Sequence, residues 1–124
     1  MPASSYRDLR AWQVAIEVAE LVYRYTKDFP KYEVYGLASQ MQRAAVSLPS
    51  NIAEGHARDS TREYLHHISM ALGSLAELET QLCLARRLEY LTLNTSDCID
   101  NKVEELGRTL RGLQKSLKGK LQSL

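Results

Sequence analysis

Apolar residues recur at steps of three and four along most of this chain, and this period constrains the fold more than any other feature. Such a period gathers apolar side chains on one face of an α-helix, whereas a half-buried strand would need strict alternation. No segment shows the alternating pattern of a strand. The clearest apolar row lies in the segment from Ser96 to Leu121 and consists of Ile99, Val103, Leu106, Leu110, Leu113 and Leu117.

The segment from Tyr6 to Lys27 carries two apolar rows beside one polar stripe. Because this is wider than the single apolar stripe of a surface helix, we expect neighbours on two sides. Phe29-Pro30 predicts its end, since the residue before a proline is pushed out of the helical region. The apolar rows are Leu9, Trp12, Ile16, Ala19 and Tyr23, and Val14, Val18, Leu21 and Tyr25.

The segment from Tyr35 to Gly55 has a proline, Pro49, in its middle. A proline inside a helix removes one backbone donor and crowds the carbonyl four residues earlier, that of Ala45. The periodic rows continue past Pro49, so we predict one helix that is kinked there and stops at Gly55. We expect Ser47, Ser50, Asn51 and Glu54 to pair with the groups that the kink frees. The apolar row is Leu37, Met41, Ala44, Leu48 and Ile52, and the polar row is Gln40, Arg43, Ser47, Asn51 and Glu54.

The segment from Ser60 to Arg87 opens with Ser60 and Glu63 at the spacing of a capping box, which predicts a helix start. Its core row is Leu65, Ile68, Leu72, Leu75, Leu78 and Leu82. A parallel seam of small residues, expected to let another helix approach closely, is Ser69, Gly73, Ala76, Thr80 and Cys83.

Four helices with short connections predict an all-α fold, an up-down-up-down four-helix bundle. With 124 residues, we expect a single domain over 1–124 whose tails, 1–5 and 119–124, are frayed. Charged residues interrupt every apolar stretch, and the first residues lack the pattern of a secretory signal, so we expect a cytoplasmic location and no membrane partner. Cys83 and Cys98 are expected to be reduced, structural and buried.

The formal net charge is only +1, which does not by itself indicate a nucleic-acid partner. The charges are unevenly distributed, however, because every charged residue after Glu105 is basic. A helical face of this kind can neutralise phosphates, but the same residues would also balance the negative end of the helix dipole. The candidates for nucleic-acid binding are Arg108, Arg111, Lys115, Lys118, Lys120, Arg86 and Arg87, with help from Arg58 and Arg62.

Motifs for catalysis or metal binding are weak. Glu63 and His66 have the Glu-x-x-His spacing of dimetal bundles, but no second such pair exists and Glu63 already fits the capping box. His66 and His67 lack a nucleophile motif and are expected at the surface, and there is no glycine-rich phosphate loop. We therefore expect no enzymatic activity, no catalytic residues, no cofactor and no metal.

Two alternatives to a nucleic-acid-binding bundle stay open. One is a purely protein-interaction module. The other is a bundle, possible as an enzyme, that holds a small ligand or metal between its second and third helices. The polar row proposed for that site is Gln40, Arg43, Asn51 and Glu54 with Glu77 and Glu79.

The stretch from Gln40 to Gly55, QMQRAAVSLPSNIAEG, resembles the signature of the four-helix-bundle family of 23S rRNA intervening-sequence proteins. Further matches follow the family's order over nearly the whole chain. They are Leu9 with Trp12-Gln13, Phe29-Pro30, Glu33, Tyr35-Gly36-Leu37, and Gly73-Ser74 followed by Glu77-Leu78-Glu79-Thr80.

The resemblance implies a small bacterial helical bundle that assembles as a homopentameric ring. Some members are encoded inside insertions of large-subunit ribosomal RNA genes. More distantly, the family is similar to accessory proteins of diversity-generating retroelements, in which a basic pentamer binds nucleic acid and a reverse transcriptase. The implied partners are other copies of this chain, RNA or DNA, and a nucleic-acid-processing protein such as a reverse transcriptase. We expect the polar row Gln40, Arg43, Ser47, Asn51 and Glu54 to form the subunit interface.

Overall fold

Residues 5–123, which the structure, a computed structural model, describes, form four α-helices and two single-turn 3-10 helices. No strand occurs in this range, which confirms the predicted all-α class. The α-helices are α1 (Arg10–Thr26), α2 (Leu37–Ala57), α3 (Thr61–Arg87) and α4 (Leu93–Gln122), and the 3-10 helices are Tyr6–Asp8 and Lys31–Glu33.

The four helices pack in the order of the chain. Helix α1 contacts α2 and α4, and α3 contacts the same two neighbours, with no diagonal contact in the described range. This is the predicted up-down-up-down bundle, and it gives the molecule two distinct ends. The hairpin end holds the connections at 27–36 and 88–92. The terminal end holds the start of α1, the connection at 58–60 and the end of α4.

The predicted apolar rows form the core between the helices. On α4, Leu113 is half-buried and the other five residues of the row are buried. On α1, Val14 and Val18 are fully buried, while Leu9 and Trp12 are half-buried against the same core. The first of the two predicted rows is only partly buried, since Tyr23 is 45% exposed, and the buried residues Ala11, Ala15 and Val22 belong to neither row.

Helix α2 is continuous through Pro49, which is buried in its middle, and the kink stays a prediction. Polar side chains near the proline do bond to backbone carbonyls. Ser47 Oγ donates to the carbonyl of Ala44 at 2.6 Å and Asn51 Nδ2 to that of Ser47 at 2.9 Å. Neither of them is the carbonyl of Ala45, which Pro49 deprives of its donor, so the expected pairing with freed groups stays a prediction.

Gly55 does not stop α2, which continues to Ala57. It is buried at a point where α3 lies close to α2. A Cβ at this position would lie 2.8 Å from His67 Cβ and 2.9 Å from Tyr64 Cδ1. The stop prediction was therefore wrong, because the small size of Gly55 serves helix packing.

Helix α3 begins as predicted, with Ser60 Oγ accepting the backbone N–H of Glu63 at 3.2 Å. The seam of small residues from Ser69 to Cys83 faces outward, and a Cβ at Gly73 would meet no atom within 4 Å. No described helix of this chain packs on it. Cys83 and Cys98 are free, as expected, but both are exposed and the expectation that they are buried was wrong.

The two segments expected to be frayed tails, 1–5 and 119–124, lie only partly within the described range. Residues 119–122, expected to fray, belong to α4. Ser5 caps the first 3-10 helix by accepting the N–H of Arg7 at 3.2 Å. Residues 1–4 and 124 lie outside the described range.

Tyr90 ties together the two connections of the hairpin end. Its hydroxyl donates to Glu33 Oε2 at 2.9 Å and lies 3.1 Å from the hydroxyl of Tyr32, while its ring packs 5.1 Å from that of Phe29. The bond to Tyr32, together with burial and the Glu33 carboxylate, raises the pKa of Tyr90 far above its ordinary value. The two connections therefore form one bonded unit.

Glu33 also starts α2. Its Oε1 accepts the backbone N–H of Leu37 at 3.1 Å, which satisfies an otherwise orphan donor of the first turn. A Cβ at Gly36 would lie 2.6 Å from this oxygen. This local geometry accounts for the sequence pattern Glu33, Gly36, Leu37.

Candidate nucleic-acid interface

Five basic side chains gather at the terminal end of the bundle. Adjacent helices are antiparallel, so the end of α4 lies beside the start of α3. All five are exposed, and none makes an ion pair or hydrogen bond with another described residue. We call these residues the basic cluster: Arg58, Arg62, Lys115, Lys118 and Lys120.

Few acidic residues oppose the basic cluster. Asp59 and Glu63 lie within its sequence segments and are exposed. Asp8 and Glu54, also exposed, lie at the same end, as does the exposed cation Arg7. The end keeps a small net positive charge at neutral pH, although the whole chain carries only +1. Charges gathered at one end create a local field that the net charge conceals.

The basic cluster borders two shallow recesses. Arg58 and Arg62 line one at the start of α3, together with His66. Lys115 and Lys118 line the other, on the last turns of α4. Basic side chains around an open recess can reach phosphate oxygens from several sides, and phosphate contacts dominate affinity for nucleic acids.

Arg86 and Arg87 lie at the opposite end of the molecule from the basic cluster. They end α3, whose 27 residues span about 40 Å at the rise of an α-helix. Arg86 Nη1 is also bonded to both carboxylate oxygens of Asp100, at 2.8 and 3.1 Å. The structure does not join these two arginines to the rest of the predicted site.

Arg108 and Arg111 lie earlier in α4 than the lysines of the basic cluster, and therefore further from the terminal end. Arg108 Nη1 donates to Glu104 Oε1 at 3.1 Å. The guanidinium of Arg111 covers Gly107, where a Cβ would lie 3.0 Å from Nη2, and it lines a groove between α3 and α4 that also contains Glu79. Their positive charge is therefore partly offset by nearby carboxylates.

Two residues of the predicted subunit interface contact α3 within the chain. Asn51 Oδ1 lies 3.1 Å from His67 Nδ1, and Glu54 Oε2 lies 3.6 Å from the same nitrogen. The side chain of His67 is only 12% exposed, so the expectation of a surface residue was wrong for His67 but right for His66. The pattern gave no sign of this contact, because it joins helices whose register the sequence does not specify.

The other interface candidates, Gln40, Arg43 and Ser47, line a shallow recess with Ser74 and Glu77. The role of all five candidates in a subunit contact stays a prediction.

The polar row suggested for a ligand or metal site is divided among separate places. Gln40 and Arg43 share a recess with Glu77, while Glu79 lies in the groove facing α4. Between residues 5 and 123, no three His, Cys, Asp or Glu side chains are grouped in a way that could hold a metal ion.

The polar stripe of α1 binds α4 through an ionic network that the sequence pattern did not reveal. Arg10 pairs with Glu105, and Lys102 Nζ lies 2.6 Å from Glu17 Oε2 and 3.5 Å from Glu105 Oε1. The bond to Arg10 lowers the pKa of Glu105, and the bond to Glu17 raises the pKa of Lys102. These charges are occupied in holding two helices together.

Among the described helices, none has the length and apolarity needed to cross a membrane.

A family model described as 23S rRNA-intervening sequence protein matches residues 7–112 of the chain. The match covers α1 to α3 and two thirds of α4, and it ends before Lys115, Lys118 and Lys120. No curated protein matches the chain.

Among solved structures, a similar one is a protein of unknown function from the S23 ribosomal protein family of Bacteroides thetaiotaomicron. The two are 24% identical with a TM-score of 0.77, and the likeness covers 85% of this chain and 95% of that chain. At this identity, the likeness establishes the fold alone. The resemblance to retroelement accessory proteins stays a prediction.

Proposed function

The chain belongs to the 23S rRNA-intervening sequence protein family, and from this premise we propose that it is a non-catalytic, oligomeric helical bundle that binds RNA or DNA through the basic cluster. The observation that carries the proposal is the set of five exposed basic side chains without partners in the described chain. Elsewhere in the described chain, four basic side chains are engaged in ion pairs, namely Arg10, Arg86, Lys102 and Arg108.

Binding by such a cluster follows from the release of condensed counterions. Each basic side chain that neutralises a phosphate frees counterions, and this favours binding without any base-specific contact. The few charges of one copy give weak affinity. In a cyclic assembly whose bundles run along the ring axis, however, every copy presents its terminal end on the same side, so the clusters act together with a high effective concentration.

The wider setting of this function is also proposed. We place the protein in the cytoplasm, as a homo-oligomer whose pentameric state is the one implied by the resemblance. A nucleic-acid-processing protein such as a reverse transcriptase would be its further partner. A scaffold of this kind needs no catalytic group of its own.

The proposal is tested by the salt dependence of binding. Fluorescence anisotropy with a labelled single-stranded RNA, at several salt concentrations, compares wild type with Lys115→Gln/Lys118→Gln/Lys120→Gln. Each phosphate contact to a single strand contributes a slope of about 0.7 in log affinity against log salt. If all three lysines contact phosphates, the triple variant lowers the slope by about 2 and weakens binding most at low salt.

A matched control removes three exposed basic residues from the other end, in Arg24→Gln/Lys27→Gln/Lys31→Gln. This control changes the net charge by the same amount and is expected to keep the wild-type slope. Equal losses in both variants would refute a localised site, and no binding by the wild type at low salt would refute the nucleic-acid function.

A further inference from the structure

The four largest exposures among the bulky apolar side chains occur at the hairpin end, at Tyr35 (96%), Leu93 (81%), Tyr32 (77%) and Val34 (53%). Leu88, which is 45% exposed, lies at the same end. Two connections that are distant in sequence contribute these residues, together with Leu93, the first residue of α4. We call them the apolar end patch.

The apolar end patch is held in place by Tyr90. The Tyr90 hydroxyl lies 3.1 Å from that of Tyr32, and it donates to Glu33 at 2.9 Å, directly before Val34 in the chain. Leu88 and Leu93 lie two and three residues from Tyr90. Because these bonds already fix both connections in the free chain, little conformational entropy of the connections would be lost when a partner binds.

The exposed area is large for an isolated chain. Five side chains with these exposures present on the order of 600 Å² of surface, counting about 200 Å² for a full tyrosine. This is at the upper limit of about 300–600 Å² for the largest apolar patch on a monomer. It also approaches the roughly 800 Å² that each partner contributes to a standard interface.

The charges around the patch are balanced. The rim carries four exposed basic residues, Arg24, Lys27, Lys31 and Arg87, and three exposed acidic residues, Asp28, Glu89 and Asp97. The half-buried carboxylate of Glu33 lies beside them.

A balanced rim can meet a copy of itself without net repulsion, and each cation can face an anion of the other copy. At the terminal end the exposed basic residues outnumber the exposed carboxylates Asp8, Glu54, Asp59 and Glu63, so two terminal ends would repel each other. A two-fold contact requires one self-complementary patch, and the hairpin end meets this requirement in both apolar area and charge.

We propose that the apolar end patch is a two-fold contact between two copies of this chain, joined hairpin end to hairpin end. Two bundles joined in this way carry their basic clusters at opposite poles, about 80 Å apart for helices the length of α3. A lateral ring would pair with a second ring through the same contact. The inference goes beyond nucleic-acid binding, since the patch and the basic cluster share no residue.

The test is the mass of the protein in solution, measured by light scattering during size-exclusion chromatography at micromolar concentration. The double variant Tyr35→Ser/Leu93→Ser removes the two most exposed members of the patch, which lie outside the core. We expect it to have half the wild-type mass, with an unchanged far-UV circular dichroism spectrum. The control Tyr23→Ser, at a residue of α1 that is 45% exposed, is expected to keep the wild-type mass.

A second variant tests the rim without altering the apolar residues. Asp28→Lys/Asp97→Lys leaves the rim strongly positive, so we expect half the wild-type mass at low salt and a return towards the full mass in 1 M salt, where the screening length is about 3 Å. Unchanged mass in both variants would overturn the proposal and leave a different protein as the occupant of the patch. RNA binding by the same variants, measured separately, reports on the basic cluster and keeps the two proposals distinguishable.

Discussion

Gly55 and Gly73 are both helical glycines, but the structure predicts opposite effects when each is replaced by alanine. At Gly55 the added Cβ would lie 2.8 Å from His67 Cβ, 2.9 Å from Tyr64 Cδ1 and 3.3 Å from the carbonyl oxygen of Tyr64. The first and third of these atoms cannot move without shifting the backbone of α3. At Gly73 nothing lies within 4 Å of the added atom.

The magnitudes follow from two opposing terms. Overpacking a close contact costs about 1–3 kcal/mol, while alanine improves helix propensity over glycine by up to about 1 kcal/mol. Gly55→Ala should therefore lower the free energy of unfolding by about 1–2 kcal/mol, or Tm by about 3–10 °C for a domain of this size. Gly73→Ala retains only the propensity term and should raise Tm by about 2–5 °C.

Thermal unfolding followed by circular dichroism at 222 nm, with both variants at the same protein concentration, measures the two shifts. A raised Tm for Gly55→Ala would refute the close approach of α2 and α3 at this point. A lowered Tm for Gly73→Ala would contradict the open surroundings of Gly73, since only a neighbour from another chain would then explain the cost.

Two pH effects follow from the ionisable groups. The bonds that raise the pKa of Tyr90 stabilise the fold below the ordinary value of 10.0, and this stabilisation is lost as the pH rises through the folded-state pKa. Above about pH 10, the free energy of unfolding of the wild type should therefore fall more steeply with pH than that of Tyr90→Phe. Urea titrations at several pH values measure this difference. The lowered pKa of Glu105 acts in the opposite sense, because the pairing with Arg10 is present above the ordinary value of 4.5 and is lost as the pH falls below it. Glu105→Gln should therefore lower stability at pH 7 and flatten its loss under acid, and an acid limb identical to that of wild type would contradict the pairing.

The helices were predictable because each carries a long periodic row. The row from Ile99 to Leu117 has one face apolar over about five turns, and only an α-helix can bury it. The order of packing follows from short connections, which force antiparallel neighbours.

The contacts between helices were not predictable to the same extent. Gly55 was predicted to end α2 because glycine is common directly after a helix. Its contact with Tyr64 depends instead on how closely α2 and α3 approach each other, which the sequence pattern does not specify. His67 was predicted to be a surface residue because the periodic pattern shows only approximately which face of α3 the residue lies on. Register between helices decides both, and it is set by the packing of the whole core.

The candidate nucleic-acid interface was predicted only in part, because residue spacing on one helix is visible in the sequence and contacts between helices are not. The face shared by Lys115 and Lys118 follows from their spacing on one helix. The predicted up-down order of the helices already places Arg58 at the same end as these lysines and Arg86 at the opposite end, so including Arg86 and Arg87 in the site was inconsistent with the predicted fold. The apolar end patch escaped the pattern because Tyr32 and Tyr35 lie in a connection with no period, although exposed aromatics beside Glu33 and Gly36 are a signal that could have been used.

The central claim is that the two ends of the bundle do different work, and sedimentation velocity with a fluorescently labelled single-stranded RNA tests it most directly. Lys115→Gln/Lys118→Gln/Lys120→Gln should sediment with the wild-type mass while leaving the RNA free. Tyr35→Ser/Leu93→Ser should still carry the RNA, in a complex with half the protein mass. If either variant changes both mass and binding, or neither, the division of roles between the ends is contradicted.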